Sequence, residues 1–287
     1  MTRPAYLTEK AIIEFIRSAL AEDIGEGDYS SLATISAGKK SKAKLIAKDE
    51  GILAGVELAQ KIFRQVDASL QLMAFKKDGE AIVNGDIAFE VHGNARSILS
   101  AERLVLNCMQ RMSGIATKTN FLSRLVAGTS AQLMDTRKTT PNFRLMEKWA
   151  VAIGGGKNHR FALYDMIMLK DNHIDVAGSI TLAVTTTVEY LKKENKKLSI
   201  EVETRNLREV QEALNTQSVD VIMLDNMELS EMKRAVKLIA GKCKTEASGG
   251  ITESNLRAVA ECGVDFISVG ALTHSVKSLD LSLKIFR

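Results

Sequence analysis

Six short apolar runs in the later part of this chain stop, one after another, at a polar or glycine residue: Asp135, Lys170, Glu203, Asp225, Ser248 and Gly270. The intervals between these stops are 35, 33, 22, 23 and 22 residues, long enough in each case for a strand and a returning helix. Helical patterns fill the gaps at 177–193, 207–214, 229–239 and 253–262. Parallel strands joined by regular crossovers predict a complete or incomplete α/β barrel whose mouth collects the strand ends. A doubly wound open sheet is the rival topology. Against it, no GxGxxG turn follows the first strand, and the GGGK at 154–157 follows a helix, the wrong context for a phosphate loop.

The strand ends carry the chemistry. Between Asp135 and His173 the chain gathers Arg137, Lys138, Lys157, His159, Arg160 and Lys170 around the apolar runs AQLMD and MIMLK. Arg grips carboxylate or phosphate with a planar fork and Lys supplies a point charge, so the mixture fits a ligand bearing more than one kind of acidic group. A solvated basic face is the bland reading, but these residues end apolar runs instead of lining an amphipathic helix. Glu201 and Glu203 alternate along SIEVET and therefore face the same side of a strand. Inside a barrel such carboxylates are costly unless a cation or hydroxyl groups meet them. Asp225, one unit later, joins Glu203 as a clamp for ribose hydroxyls and a divalent ion, with pairing to Lys138 and Lys170 as the purely structural reading. SGGI at 248–251 and VGAL at 269–272 close two successive strands with glycine, where backbone amides and a following helix suit a phosphate.

The N-terminal part has a different grammar. Thr8 to Asp23 shows helical spacing with Thr8 as N-cap, and the polar EDIGEGDYSS that follows reads as a loop. Its Asp23, Glu26 and Asp28 lack calcium-loop spacing. KAKLIAKDEG, SLQLMAFKK and DIAFEVHG are strand-like, with a helix over 56–66, which predicts a small α+β domain. From Ala95 to about Gly128 one mostly apolar helical pattern runs on, with Arg103 at the rim of its stripe and Gly114 as a point where it could break.

Composition excludes several classes. A net charge of +4 with 5% aromatic residues is too mild for a nucleic-acid protein. Cys108, Cys243 and Cys262 show neither zinc spacing nor a disulfide framework, the N-terminus has no signal-peptide pattern, and no apolar run reaches membrane length. These features predict a cytoplasmic protein with reduced core thiols.

The ordered motifs EDIGEGDYSS, GILAG, AERLVLN, SGIAT, DTRKT, GGGKNHR, LKDNH, EVE, LDN, ASGGI and GALTHS span essentially the whole chain. Together they resemble the quinolinate phosphoribosyltransferase family, the decarboxylating enzymes that make nicotinate mononucleotide. The resemblance implies an open (incomplete) α/β barrel at 116–287 and a smaller N-terminal α+β sandwich domain at 1–115, with a last helix packing back on the latter. It implies homodimers, or higher homo-oligomers, with shared sites. In that reading Arg137, His159 and Arg160 bind the two carboxylates of quinolinate, and Arg103 arrives from the partner chain. Lys138 and Lys170 sit between the substrates. Glu203 and Asp225 hold the ribose and magnesium of phosphoribosyl pyrophosphate, mainly through substrate and water. Ser248, Gly249, Gly250 and Gly270 cradle its 5-phosphate, and Thr139 and Ala271 complete the substrate contacts. One departure stands out: the family pattern EVEVEN is EVETRN here, which leaves Glu201 and Glu203 both open for the ribose role. His173 and His274 read as structural hydrogen-bonding residues. A molybdenum-transport-associated paralogue sharing the phosphate residues, and a Schiff-base aldolase using Lys170, are the competing functions.

Overall fold

The computed structural model describes residues 4–286. In chain order the elements are α1 (Glu9–Ile24), α2 (Tyr29–Thr34), β1 (Lys40–Ala47), β2 (Gly51–Ile52), α3 (Val56–Val66), β3 (Gln71–Ala74), β4 (Ala81–Ile82), β5 (Ile87–Asn94) and α4 (Ala95–Leu125). There follow β6 (Gln132–Met134), α5 (Arg144–Ile153), β7 (Ile167–Leu169), α6 (Asp171–Ala177), α7 (Ile180–Lys193), β8 (Ile200–Thr204), α8 (Leu207–Asn215), β9 (Val221–Asp225) and α9 (Leu229–Ile239). β10 (Lys244–Ser248), α10 (Leu256–Ala260), β11 (Phe266–Ser268), α11 (Ala271–His274) and β12 (Leu281–Phe286) complete the chain. Two compact units emerge: one comprises residues up to Asn120 with Lys138–Gly155 and the segment from Ala271 onward, the other Phe121–Arg137 with Gly156–Gly270.

The first unit is built on an antiparallel sheet in the order β12-β1-β5-β3. β1 alternates buried and accessible positions along its second half, so Ala43, Leu45 and Ala47 enter the core while Lys44 and Ile46 between them stay partly exposed. Phe89 of β5 meets Phe63 of α3 edge-on, with ring centroids 6.1 Å apart. Both rings are fully buried, each worth roughly 1.5–3 kcal/mol of transfer free energy. α1 begins where expected, because Thr8 accepts the Ala11 amide at 3.1 Å. EDIGEGDYSS is only partly a loop: Asp28 accepts the Ser31 amide and starts α2. The C-terminal segment returns to this unit as a strand, β12, pairing antiparallel with β1, and not as a helix.

α4 runs unbroken through Gly114. The residue is there for space: a Cβ would run into the carbonyl oxygen of Lys277, so glycine lets the C-terminal segment approach the helix backbone. Leu279 N donates to Gln110 O at 3.0 Å beside this contact.

The second unit is a six-stranded parallel sheet in the order β6-β11-β10-β9-β8-β7. β6 and β7 lie at opposite ends and do not pair with each other, which makes the barrel an open one. Every residue of β8 is buried, as in a parallel sheet covered on both faces. Register places Glu203 beside Met223 and Met223 beside Glu246, so both acids face the same side of the sheet. The helix expected over 177–193 is α7, which starts at Ile180; the separate short helix α6 precedes it and ends at Gly178, in the left-handed region. Cys108 and Cys262 are buried and Cys243 is partly so, all free thiols, and burial pushes Cys108 up to about 12.

Candidate functional site

The cationic side of the site begins at the end of β6. Lys157 N donates to Leu133 O at 2.8 Å and Asp135 N to Lys157 O at 3.2 Å, so residues 157–159 run alongside β6. The fully buried Asp135 then receives the His159 amide at 2.9 Å and Asn158 Nδ2 at 2.6 Å. These bonds set the GGGKNHR segment against the strand that leads into Arg137. Burial, and after it the neighbouring Arg137 cation, hold Arg160 below its ordinary value, while Glu201 and Asp165 act in the opposite sense. Arg137 has a buried Nε with no hydrogen-bond partner among the described residues. Two guanidinium groups that close, one with an unmet donor, form a ready anion site.

His159 is engaged on both ring nitrogens. Arg160 N donates to Nδ1 at 2.7 Å, and Nε2 lies 2.9 Å from Glu201 Oε2 and 3.5 Å from Glu246 Oε2. The expectation that His159 binds a substrate carboxylate directly therefore meets a ring already turned to protein groups. Its chain neighbour Arg160 donates from Nη1 to Met166 O at 3.3 Å.

The acidic side lies across β8 and β9. Glu203 Oε2 stands 3.8 Å from Lys170 Nζ, and burial first, then Asp225, push the Glu203 carboxyl up while Lys170 draws it down. Glu203, and not Glu201, thus faces Lys170 and Asp225. The EVETRN departure leaves this arrangement untouched, because Arg205 turns outward to Glu209 at 2.9 Å and Asp175 at 3.2 Å. Asn226 Nδ2 donates to Asp225 Oδ2 at 2.7 Å, and Asn226 N to Ser248 O at 2.9 Å. These bonds tie Asp225 to the SGGI turn. There Gly249 and Gly250 have φ of +82° and +60°, and a Cβ on Gly249 would collide with the Asn226 carboxamide. Gly270 ends the segment after β11. His173 accepts the Lys170 amide on Nδ1 at 3.0 Å and caps α6, and His274 Nδ1 lies 2.6 Å from Ser275 Oγ, both consistent with structural roles.

Four expected substrate residues belong to the other unit. Arg103 is exposed on α4, and Ala271 opens α11. Lys138 and Thr139 follow Arg137 in the chain, and Lys138 O accepts from Thr273 Oγ1 at 2.8 Å while Thr139 Oγ1 accepts from Arg144 Nε at 2.9 Å. The next residue is anchored more strongly. Fully buried Glu147 accepts Thr140 N at 3.0 Å, Thr140 Oγ1 at 2.9 Å and Arg111 Nη2 at 2.8 Å.

Sequence reasoning passed over Asp135 as an acceptor, Asn226, Glu147 and Glu246. Glu246 had a usable signal: in KTEAS it stands two residues before Ser248, the same alternation that singled out Glu201 and Glu203.

Comparison with known proteins agrees with this geometry. Residues 115–284 match the family described as quinolinate phosphoribosyl transferase, C-terminal domain, and residues 28–113 its N-terminal domain. The chain is 50% identical over 291 residues to a chloroplastic nicotinate-nucleotide pyrophosphorylase [carboxylating] of Oryza sativa subsp. japonica, covering 96% of this chain and 77% of that protein. It is 44% identical to a probable nicotinate-nucleotide pyrophosphorylase [carboxylating] of Bacillus subtilis, covering 92% of this chain and 90% of that one. Among solved structures, NadC from Streptococcus pyogenes superposes with a TM-score of 0.91 at 40% identity, covering 98% of this chain and 99% of that one. With both domains matched in order along one continuous chain, this protein belongs to the quinolinate phosphoribosyltransferase family.

Proposed function

We propose that the protein transfers the phosphoribosyl group of phosphoribosyl pyrophosphate to quinolinate with loss of CO2, giving nicotinate mononucleotide and pyrophosphate for NAD biosynthesis. The observation that carries this reading is the pair Arg137 and Arg160, close enough for the Arg137 cation to disfavour the charge on Arg160, with a buried Arg137 donor left unmet. Such a pair is stabilised by a dianion. Quinolinate brings two adjacent carboxylates, one for each fork.

The ribose side follows from the acids. Burial and the neighbouring Asp225 raise the cost of ionising Glu203, and ribose hydroxyls or a cation would relieve it. Two hard oxygen donors suit magnesium, mainly through substrate and water, and the ion would neutralise phosphate charge there. The backbone at Gly249 and Gly250, strained for any other residue, leaves room for a 5-phosphate against Ser248. Loss of pyrophosphate leaves a cationic ribose carbon for the pyridine nitrogen to attack. The quaternised nitrogen then stabilises the electron pair left on the neighbouring ring carbon as its carboxylate departs as CO2, and that carbon takes up a proton from water. Lys170, reaching Glu203 from the next strand, supplies positive charge near the leaving group. An aldolase role for Lys170 lacks support, because the side chain is half exposed and ion-paired with Glu203, not enclosed in an apolar pocket.

A second copy of the chain completes this proposal. At the unpaired end of the parallel sheet a groove of about 680 Å³ is lined by Arg160, Met166, Met168, His173 and Tyr190. Leu163, Tyr164 and Val176 stand exposed in the same unit. Apolar surface of this kind beside an anion site supports coverage by a partner, with exposed Arg103 as the group the partner brings. Cytoplasmic residence, carried by three free thiols, belongs to the same proposal.

The test is direct: mix protein, magnesium, phosphoribosyl pyrophosphate and quinolinate, and follow CO2 and nicotinate mononucleotide, with nicotinate as the control acceptor. Turnover of nicotinate in place of quinolinate overturns the assignment.

A further inference from the structure

Beside Arg160 lies a group of buried side chains to which the proposed reaction steps give no role. His159, Glu201 and Glu246 are all buried, and one ligand atom from each lies within 4.8 Å of the others. Neither oxygen of Glu201 has a hydrogen-bond partner among the described residues, nor has Glu246 Oε1, and His159 Nε2 stands 2.9 Å from Glu201 Oε2 without the alignment of a hydrogen bond to it. Two carboxylates so close in a dry interior cannot both ionise at tolerable cost.

Such a trio invites a metal, and the histidine argues against one. Its Nδ1 accepts the Arg160 amide at 2.7 Å, so Nδ1 carries no proton. In the neutral ring the proton must then sit on Nε2, the nitrogen nearest Glu201. A protonated Nε2 cannot ligate a metal. It can donate to a carboxylate, which explains one negative charge in the cluster and leaves the second acid to be explained.

Burial, then Glu201, push Glu246 up to about 8, with His159 pulling the other way and Asp135 adding a further negative neighbour. Ser268, from the adjacent strand, faces the same carboxyl. Arg160 and Arg137 supply the nearby positive charge.

We propose that Glu246 is a positioning residue for anion binding: as the protonated acid it donates to Glu201, directly or through one water, and Glu201 in turn receives the Nε2 proton of His159. The ring is thereby locked with Nδ1 turned to the Arg160 amide, which fixes the backbone from which the Arg160 guanidinium reaches its ligand. The consequence for catalysis rests on the quinolinate reading. The state of the ring does not.

Two measurements test it. In ligand-free protein with ¹⁵N-labelled histidine, His159 being assigned through a His159→Gln variant, a proton on Nε2 and none on Nδ1 is expected between about pH 6.5 and 8. A proton on Nδ1, a doubly protonated ring, or stoichiometric metal retained by the purified protein overturns the proposal. In kinetics, Glu246→Ala raises the KM for quinolinate at least about tenfold with a much smaller change in kcat, the scale seen when groups that orient a functional histidine are removed. Glu246→Gln, which keeps the shape and a donor, restores most of that loss. Equal damage by the Gln and Ala variants, with native circular dichroism in both, overturns it as well. Because the spectra contain no quinolinate, failure of the substrate assignment leaves the first measurement decisive.

Discussion

The backbone amide of Arg160 donates to the ring nitrogen Nδ1 of the residue before it, His159, at 2.7 Å. A bond between chain neighbours makes the direction of an arginine depend on the protonation of a histidine. It also connects the barrel interior, where Glu201 and Glu246 lie, to the pair of cations at the strand ends.

Those cations set the first prediction. Arg137→Ala or Arg160→Ala leaves a substrate carboxylate without its fork, at a cost of about 2–5 kcal/mol in kcat/KM. Most of the loss falls on the KM for quinolinate and little on that for phosphoribosyl pyrophosphate. Initial rates with each substrate varied in turn check this, and unchanged quinolinate kinetics in both variants would remove the assignment.

Glu246 predicts a pH dependence of stability. In the folded chain its carboxyl keeps a proton up to about 8, whereas the unfolded chain releases it near 4.5. The folded state therefore binds the extra proton between these values. Its stabilising contribution is full below the lower value and is lost as pH rises through the window, at no more than about 1.4 kcal/mol per unit. Glu246→Gln removes the slope. Thermal melts of both proteins across this window should diverge in favour of the variant as pH rises, and parallel curves would contradict the buried proton.

Glu203 acts in the opposite direction, on activity. It serves ribose or a cation only when ionised, and burial together with Asp225 holds its carboxyl above the ordinary value. The acid limb of kcat/KM for phosphoribosyl pyrophosphate should accordingly lie above the usual carboxylate range. Asp225→Asn lowers overall activity and moves that limb to lower pH, a displacement that rate–pH profiles read directly.

Gly249→Ala tests the phosphate cradle. At φ +82° an alanine is strained, and its Cβ collides with Asn226, which steers Asp225 through a 2.7 Å hydrogen bond. A strain of about 1–3 kcal/mol is expected, seen as a raised KM for phosphoribosyl pyrophosphate with quinolinate binding largely preserved.

Arg111→Ala tests a structural anchor. It strips its ion-pair partner from Glu147, which is fully buried and also holds Thr140. Removing one member of such a pair costs about 3–5 kcal/mol, so the variant should melt well below the wild type.

How far the chain could be read from its residues differs from part to part. The parallel strands were legible because each apolar run stops abruptly at a polar residue or glycine, and α9 falls where its periodicity puts it. α2 was hidden because its start depends on one side chain, Asp28, capping a six-residue segment with little apolar pattern. β12 was hidden for another reason: LSLKIF pairs with β1, more than two hundred residues earlier, and no local pattern reports so distant a partner. Within the site, Arg137, Arg160, Glu203 and Asp225 stood out by charge at strand ends. Glu246 was marked only by its alternation with Ser248, and it took register to set it on the same face as Glu203.

The pairing of β12 with β1 has a consequence for how the protein is made. On a ribosome, all six strands of the parallel sheet emerge before β12 does, so that sheet can assemble while the antiparallel one still lacks an edge. The part synthesised first is therefore among the last to be finished. Until β12 emerges, the open side of β1 is an unprotected strand edge, a place where a nascent chain of this family is exposed to mispairing with a neighbour.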